Sequence, residues 1–280
     1  MPANIIDGKD IAEKILDSVK ERVSKLKEKP KLALVLVGNN PASEVYVNFK
    51  EKDCLKCGCG CDRYNLPEDI DEIALLDLVT KLNNDPGVHG ILVQLPLPKH
   101  INENLIMDSI LPHKDVDGFT PVNLGNLVND NNFLEPATAR ACIALIESVE
   151  NKIEGKNAVV VGRSSIVGKP VALLLLQKNA TATICHSKTK NLKEHTKNAD
   201  ILVVAVGKAG LIKRDMVKEG AVVIDVGISR VNGKIVGDVD FDSVKEVAGF
   251  LTPVPGGVGP MTRAMLLDNL LMAYRLKPKM

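Results

Sequence analysis

Ile11, Ile15, Leu16, Val19 and Val23 recur three and four residues apart among charged positions, which predicts an amphipathic helix over residues 8 to 28. The period then changes. Lys31-Leu-Ala-Leu-Val-Leu-Val-Gly38 is apolar at successive positions, as in a parallel strand covered on both faces. Asn39-Asn-Pro-Ala-Ser43 turns the chain into another helix, with Ser43 as its expected cap. A short segment Tyr64-Asn-Leu66 and a helix from Glu72 to Asn83 follow. A second buried strand, Gly90-Ile-Leu-Val-Gln-Leu95, is interrupted by one polar residue, Gln94. A helix from Asn102 to Ile110 leads into the acidic turn Lys114-Asp-Val-Asp-Gly118. Residues 119 to 136 show no clear period and are expected to be loop and connector.

The second half repeats the alternation. A helix from Thr138 to Val149 precedes the β-branched run Asn157-Ala-Val-Val-Val161. Then come a helix from Pro170 to Lys178, the strand Ala182–Cys185, a short helix and the strand Ile201–Gly207. A helical turn near Asp215 and the strand Ala221–Gly227 complete this half, and an apolar-striped helix runs from Thr262 to Tyr274. Alternating helices and continuously apolar strands predict an α/β protein of two α/β domains. The second is a Rossmann-like, doubly wound parallel sheet, and a cleft is expected between the two. The expected boundaries are 1–136, with the terminal helix 262–280 packing back on that domain, and 137–261.

Composition narrows the function. Thirty-six Lys and Arg stand against 35 Asp and Glu, a net charge of +1, and there are no Trp, three Tyr and five Phe. Neither a basic footprint nor a stacking surface for nucleic acid is present. No signal peptide is legible at the N-terminus, and no apolar run approaches the roughly 20 residues of a membrane helix. A soluble cytoplasmic protein is expected. Four of the six cysteines crowd into Cys54-Leu-Lys-Cys57-Gly-Cys59-Gly-Cys61. That spacing fits no common metal pattern and no His is near it, so these read as small thiols at a helix end, with no metal expected.

Two groups of residues carry candidate chemistry. In Val161-Gly162-Arg163-Ser164, strand, glycine turn and the helix near Pro170 would aim backbone N–H groups at a dinucleotide's phosphates. The Gly162-x5-Gly168 spacing also fits a plain strand-to-helix turn. The next strand ends Cys185-His-Ser187-Lys188-Thr189, with hydroxyls and a cation where a carboxylate would favour NAD, so NADP is preferred. Tyr46, Lys50, Gln94 and Asp117 fall at or just after strand carboxyl ends, where open α/β sheets bind ligands. A lysine whose pKa burial lowers can transfer protons, Gln94 could bond its amine, and Asp117 could accept two hydrogen bonds from an amidine-like edge. Each also fits a structural role: Tyr46 as packing, Lys50 as solvated face, Gln94 as a strand-end bond, Asp117 as a turn former. Thr252-Pro-Val-Pro255-Gly256-Gly257-Val-Gly-Pro-Met-Thr262 is read as a shaped wall against a flat ligand, with one X-Pro bond cis, or as a loop that caps the last helix.

The blocks Val37-Gly-Asn-Asn-Pro-Ala-Ser43, Tyr46-Val-x-x-Lys50-x-Lys52, Gly90-Ile-Leu-Val-Gln-Leu-Pro-Leu-Pro98 and Lys114-Asp-Val-Asp-Gly118 closely resemble those of the bifunctional methylenetetrahydrofolate dehydrogenase/methenyltetrahydrofolate cyclohydrolases. So do Val161-Gly-Arg-Ser-x-Ile-Val-Gly-x-Pro170 and Pro253-Val-Pro-Gly-Gly-Val-Gly-Pro-Met-Thr262, and the resemblance spans nearly the whole chain. It implies oxidation of 5,10-methylenetetrahydrofolate with NADP+, then hydrolysis of the methenyl product to 10-formyltetrahydrofolate. That is one-carbon metabolism feeding purine biosynthesis, in a homodimer. By the same resemblance Lys50 assists hydrolysis, Gln94 holds and tunes it, Asp117 grips the pterin and Tyr46 packs on the aminobenzoate ring. Pro255, Gly256 and Gly257 would border the folate; Gly162, Arg163, Ser164, Ser187 and Ile228 would line the cofactor. The chain departs from the family pattern at Pro136-Ala-Thr-Ala139, at Thr120 and at Cys57, Cys59 and Cys61, none of them a carried-over catalytic residue. The alternatives are a dehydrogenase without effective hydrolysis and a non-catalytic NADP-binding module.

Overall fold

A computed structural model of the chain describes residues 2–131 and 133–276. The chain divides into two compact units, Glu13–Ala137 with the residues from Arg263 on, and Thr138–Thr262 with the first twelve residues. The strands are β1 (Asn4–Ile5), β2 (Lys31–Val37), β3 (Gly60–Leu66), β4 (Gly90–Val93), β5 (Asn157–Val161), β6 (Thr181–Cys185), β7 (Ile201–Val204), β8 (Val222–Asp225), β9 (Ser229–Val231), β10 (Lys234–Val236) and β11 (Phe250–Leu251).

In the unit that begins at Glu13, β2 lies between β3 and β4 in a three-stranded parallel sheet. Every residue of β2 after Lys31 is buried, which is why its sequence does not alternate. Ala33, Val35 and Val37 pack with Ile91 and Val93 of β4 and with Leu75, Val79 and Leu82 of the helix Glu72–Asn84. β3 starts at Gly60, earlier than the segment 64–66 expected, because it pairs along all of β2 from Lys31↔Gly60 to Val37↔Leu66.

The helix Pro41–Lys56 starts one position after Asn40, whose Oδ1 accepts from the Ala42 and Ser43 amides at 3.0 and 3.2 Å. Asn40, not the expected Ser43, is therefore the cap: Pro41 suits a first helical position, so the cap must precede it. Residues 119–136 also differ from expectation. Pro121–Val128 is a helix, with the Asn123 amide donating to Thr120 Oγ1 at 3.4 Å, and its start signal of Thr then Pro was hidden by the Asn and Gly around it. The last helix runs Val258–Arg275. Its later residues bond within this unit: Asp268 pairs with Arg22 at 2.7 Å, and Asn269 Nδ2 donates to the carbonyls of Val116 and Glu135 at 2.8 Å each. Residues 277–280 of the expected terminal helix lie outside the described residues.

The other unit holds a six-stranded parallel sheet in the order β1-β11-β8-β7-β5-β6, Rossmann-like as expected. β5 pairs with β6 on one side and β7 on the other, so the strand order reverses beside it. Such a switch point is where open sheets bind ligands. Residues 1–136 were expected in one domain, yet β1 pairs with β11, Asn4↔Phe250 and Ile5↔Leu251. A two-residue strand is too short to show a period, and its partner residues lie 246 positions away in the chain. The antiparallel hairpin β9–β10 turns through Asn232 and Gly233 at φ 49° and 79°, an Asn-Gly hairpin turn with both central residues left-handed.

Candidate active site

Tyr46 and Lys50 sit four residues apart on the helix Pro41–Lys56, hence on one face of it, and both are half-buried. Gln94 follows β4 directly, and its amide extends the ladder by donating to Val35 O at 2.8 Å. Lys50 Nζ donates to Gln94 Oε1 at 3.1 Å, while Gln94 Nε2 donates to Leu95 O at 2.6 Å. The amide is thus anchored by its nitrogen and presents its oxygen to the amine. Burial pushes Lys50 below the ordinary lysine value; the Asp117 carboxylate opposes this and the Arg263 guanidinium adds to it. Burial pushes Asp117 upward, against the pull of Lys50 and with a contribution from Asp115. Tyr46 is pushed up by burial and drawn down by Arg263. Both members of the Lys50–Asp117 pair are driven toward their neutral forms, the state in which an amine can accept a proton.

Asp115, two residues before Asp117, explains why Asp117 is available. Asp115 is fully buried and accepts from the Gly118 and Thr120 amides and from Asn123 Nδ2 at 2.8 to 2.9 Å. The turn-forming role that the sequence left open for Asp117 therefore belongs to Asp115. Two acids in Lys114-Asp-Val-Asp-Gly118 carry no local sign of which does which. Arg263 and Asp53 were also missed: Arg263 Nε donates to Asp53 Oδ2 at 2.6 Å.

The candidate dinucleotide residues lie in the other unit. Gly162, at φ 131°, is buried, and a Cβ there would sit 2.3 Å from Ala205 O, so only glycine fits between β5 and the chain leaving β7. The helix beyond it spans Gly168–Gln177, starting two residues before Pro170. Its first amides are not bare: those of Val167 and Gly168 donate to Ser164 Oγ at 3.2 and 3.3 Å, and that of Lys169 to Ser164 O at 3.0 Å. The expected array of N–H groups aimed at an anion is therefore partly met by Ser164 itself. Arg163, Ser187 and Lys188 stand exposed, and Ile228 is 50% exposed. Cys185–Thr189 carries no carboxylate.

Pro255 is exposed at a cis Val254–Pro255 bond, one of two cis X-Pro bonds, the other being Leu95–Pro96. Gly256 takes φ 114°, and a Cβ on Gly257 would meet Pro253 O at 2.7 Å. This loop belongs to the unit of the large sheet, whereas Lys50, Gln94 and Asp117 belong to the other. Behind it Asp225 accepts from the Gly227, Asp238 and Val239 amides, and Asp238 from those of Val206, Gly207 and Lys208, tying three strand-end loops together. Neither acid was singled out from sequence; only the Asp225-Val-Gly stretch hinted at a bracing turn. In the cysteine cluster the Cys54 thiol donates to Gly60 O at 3.4 Å and that of Cys57 to Leu16 O at 3.5 Å. Among the described residues no group of three or more His, Cys, Asp or Glu is placed to hold a metal.

Known proteins resemble this chain along nearly its whole length. Residues 6–117 match the catalytic domain of tetrahydrofolate dehydrogenase/cyclohydrolase, and residues 136–277 match its NAD(P)-binding domain. The bifunctional protein FolD of Moorella thermoacetica is 54% identical over 98% of this chain and 100% of its own. The crystal structure of the Campylobacter jejuni bifunctional enzyme superimposes with a TM-score of 0.96 at 48% identity, covering 98% of this chain and 99% of that one. The Trypanosoma brucei dehydrogenase-cyclohydrolase, solved with NADP and an inhibitor, gives 0.95 at 37% identity over the full length of both chains. At these identities over the whole chain, and with both domain models matched, the protein belongs to the tetrahydrofolate dehydrogenase/cyclohydrolase family.

Proposed function

We propose that the chain oxidises 5,10-methylenetetrahydrofolate with NADP+ and hydrolyses the methenyl product to 10-formyltetrahydrofolate, with Lys50 as the proton acceptor of the second step. The observation that carries the Lys50 assignment is its half-buried amine, bonded to Gln94 Oε1 at 3.1 Å and set against Asp117. Hydrolysis adds water to the electron-poor methenyl carbon and breaks its bond to N5; one proton of the water ends on N5 and the other must pass to a base. A neutral amine held by an uncharged amide can take it; an ammonium cannot. Asp117 holds the amino-pyrimidine edge of the pterin, and Tyr46 lies along the aminobenzoate ring. Pro255, Gly256 and Gly257 provide bare backbone for the folate to lie against.

NADP supplies the hydride acceptor. Gly162 lets the chain pass close to it, Arg163 and Ser187 take its 2′-phosphate, and Ser164 and Ile228 line the remainder. The reading extends to a cytoplasmic homodimer whose product serves purine biosynthesis; no helix among the described residues is long and apolar enough to cross a membrane. A dehydrogenase without hydrolysis is the competing reading, and it requires Lys50 to stay protonated at neutral pH.

The test follows absorbance of the full chain with methylenetetrahydrofolate and NADP+. Wild type forms NADPH with little methenyl accumulation. Lys50→Met loses at least about a hundredfold in methenyl hydrolysis, the usual scale of a general base. Hydrolysis by the variant at the wild-type rate removes Lys50 from the mechanism. Activity with NAD+ but not NADP+ removes the roles of Arg163 and Ser187.

A further inference from the structure

Arg263 lies in the same unit as Lys50, and its guanidinium is fixed at two points. Its Nε donates to Asp53 Oδ2 at 2.6 Å, and its central carbon lies 4.9 Å from the centroid of the Phe49 ring. Phe49 and Asp53 are four residues apart on the helix Pro41–Lys56, one on each side of Lys50 in sequence. A planar cation bonded along one edge and resting on a ring has little freedom to swing into solvent. The side chains of Arg263 and Asp53 are only 20% and 13% exposed, so water screens this charge less than it would a surface arginine.

The charged or titratable groups around Lys50 are Asp117, from the turn after the helix Glu103–Asp108, and Arg263, from the last helix, with Tyr46 four residues before it and Asp53 three residues after it on its own helix; Gln94 is uncharged. Asp117 alone would favour an ion pair and hold the amine protonated. Asp53, three residues on along the helix, would add to that attraction; Arg263 takes up its carboxylate at 2.6 Å and offsets the pull of both acids. We propose that Arg263, clamped by Asp53 and Phe49, is a positioning residue for the hydrolytic step: it holds a positive charge beside Lys50 that keeps the amine neutral while Asp117 remains free to bind substrate. This rests on Lys50 being the proton acceptor. Burial lowers the Lys50 pKa most, and the Arg263 charge acts in the same direction. Without it the amine holds its proton to higher pH, and the base-limited rate begins its rise later.

The experiment is the pH profile of methenyltetrahydrofolate hydrolysis, corrected for the uncatalysed reaction, for the full chain and for Lys50→Met, Arg263→Gln and Arg263→Lys. Arg263→Gln moves the rising limb alkaline by about half to one pH unit, with roughly a three- to tenfold lower rate on its acid side. Arg263→Lys keeps the charge and stays near the wild-type profile. If the glutamine variant does not fold, Arg263→Met is the second neutral variant and carries the same expectation. An unmoved profile in the neutral variant overturns the proposal, as does an equal shift in the lysine variant, which would mean shape and not charge matters. Full hydrolysis by Lys50→Met overturns the Lys50 assignment itself. Loss in Lys50→Met with an unmoved Arg263→Gln profile overturns only the role of Arg263.

Discussion

In the unit of Lys50 the candidate groups are half-buried and lean on one another; in the unit of Gly162 the candidate side chains stand exposed and the backbone behind them is braced. Lys50 and Asp117 alter one another's protonation, Arg263 acts on Lys50 in the same direction as burial, and Gln94 holds the amine. Arg163, Ser187 and Ile228 are exposed, while the loops that carry such residues are tied down by Ser164, Asp225 and Asp238. The first arrangement suits a step in which a proton changes hands, because burial moves pKa values. The second suits recognition of a large charged ligand whose chemistry is its own. Substitutions in the first unit should therefore act on rate and pH profile, those in the second on cofactor affinity and local stability.

The largest effect expected is the loss of hydrolysis in Lys50→Met, about 3 kcal/mol of transition-state stabilisation at a hundredfold. In the other unit the strongest test is backbone crowding. A Cβ at Gly237 would lie 1.9 Å from Asp225 Oδ2, so Gly237→Ala must dislodge the carboxylate that accepts three amides. A loss of about 2–3 kcal/mol is expected in chemical denaturation. An unchanged midpoint would show that the brace is dispensable. Ser187→Asp sharpens the comparison at the exposed surface. A carboxylate facing the 2′-phosphate should raise the KM for NADP+ about tenfold, roughly 1.4 kcal/mol, with kcat little altered. A fall in kcat at constant KM would place Ser187 in the chemistry instead. The smallest effect is that of Asn40→Ala, which removes the acceptor for two amides at the start of the helix bearing Tyr46 and Lys50. It should cost about 1 kcal/mol and lower the thermal midpoint by a few degrees, about 2–4 °C.

Much of this was legible before any coordinates. The apolar runs of β2, β4, β5, β7 and β8 mark covered parallel strands, since no apolar residue there faces water. The pairing of Tyr46 with Lys50 on one helical face follows from their spacing alone. The cap at Asn40 and the helix Pro121–Val128 had readable signals that were assigned one turn late or passed over, because polar residues cluster at helix starts and in loops alike.

Sequence by itself determined the long helices and buried strands, the parallel class of the two larger sheets and, through matched blocks, the family. Only tertiary structure decided the partners. Gln94 reaches Lys50 across 44 positions of chain, and Arg263 reaches Asp53 across 210. Asp115 takes the turn's amides and leaves Asp117 to the site, and β1 joins the sheet of the other unit. Periodicity records which side of an element is buried, a local property of three or four residues. Which side chain meets which across the fold depends on how elements far apart in sequence pack, and single-chain patterning carries no trace of that distance.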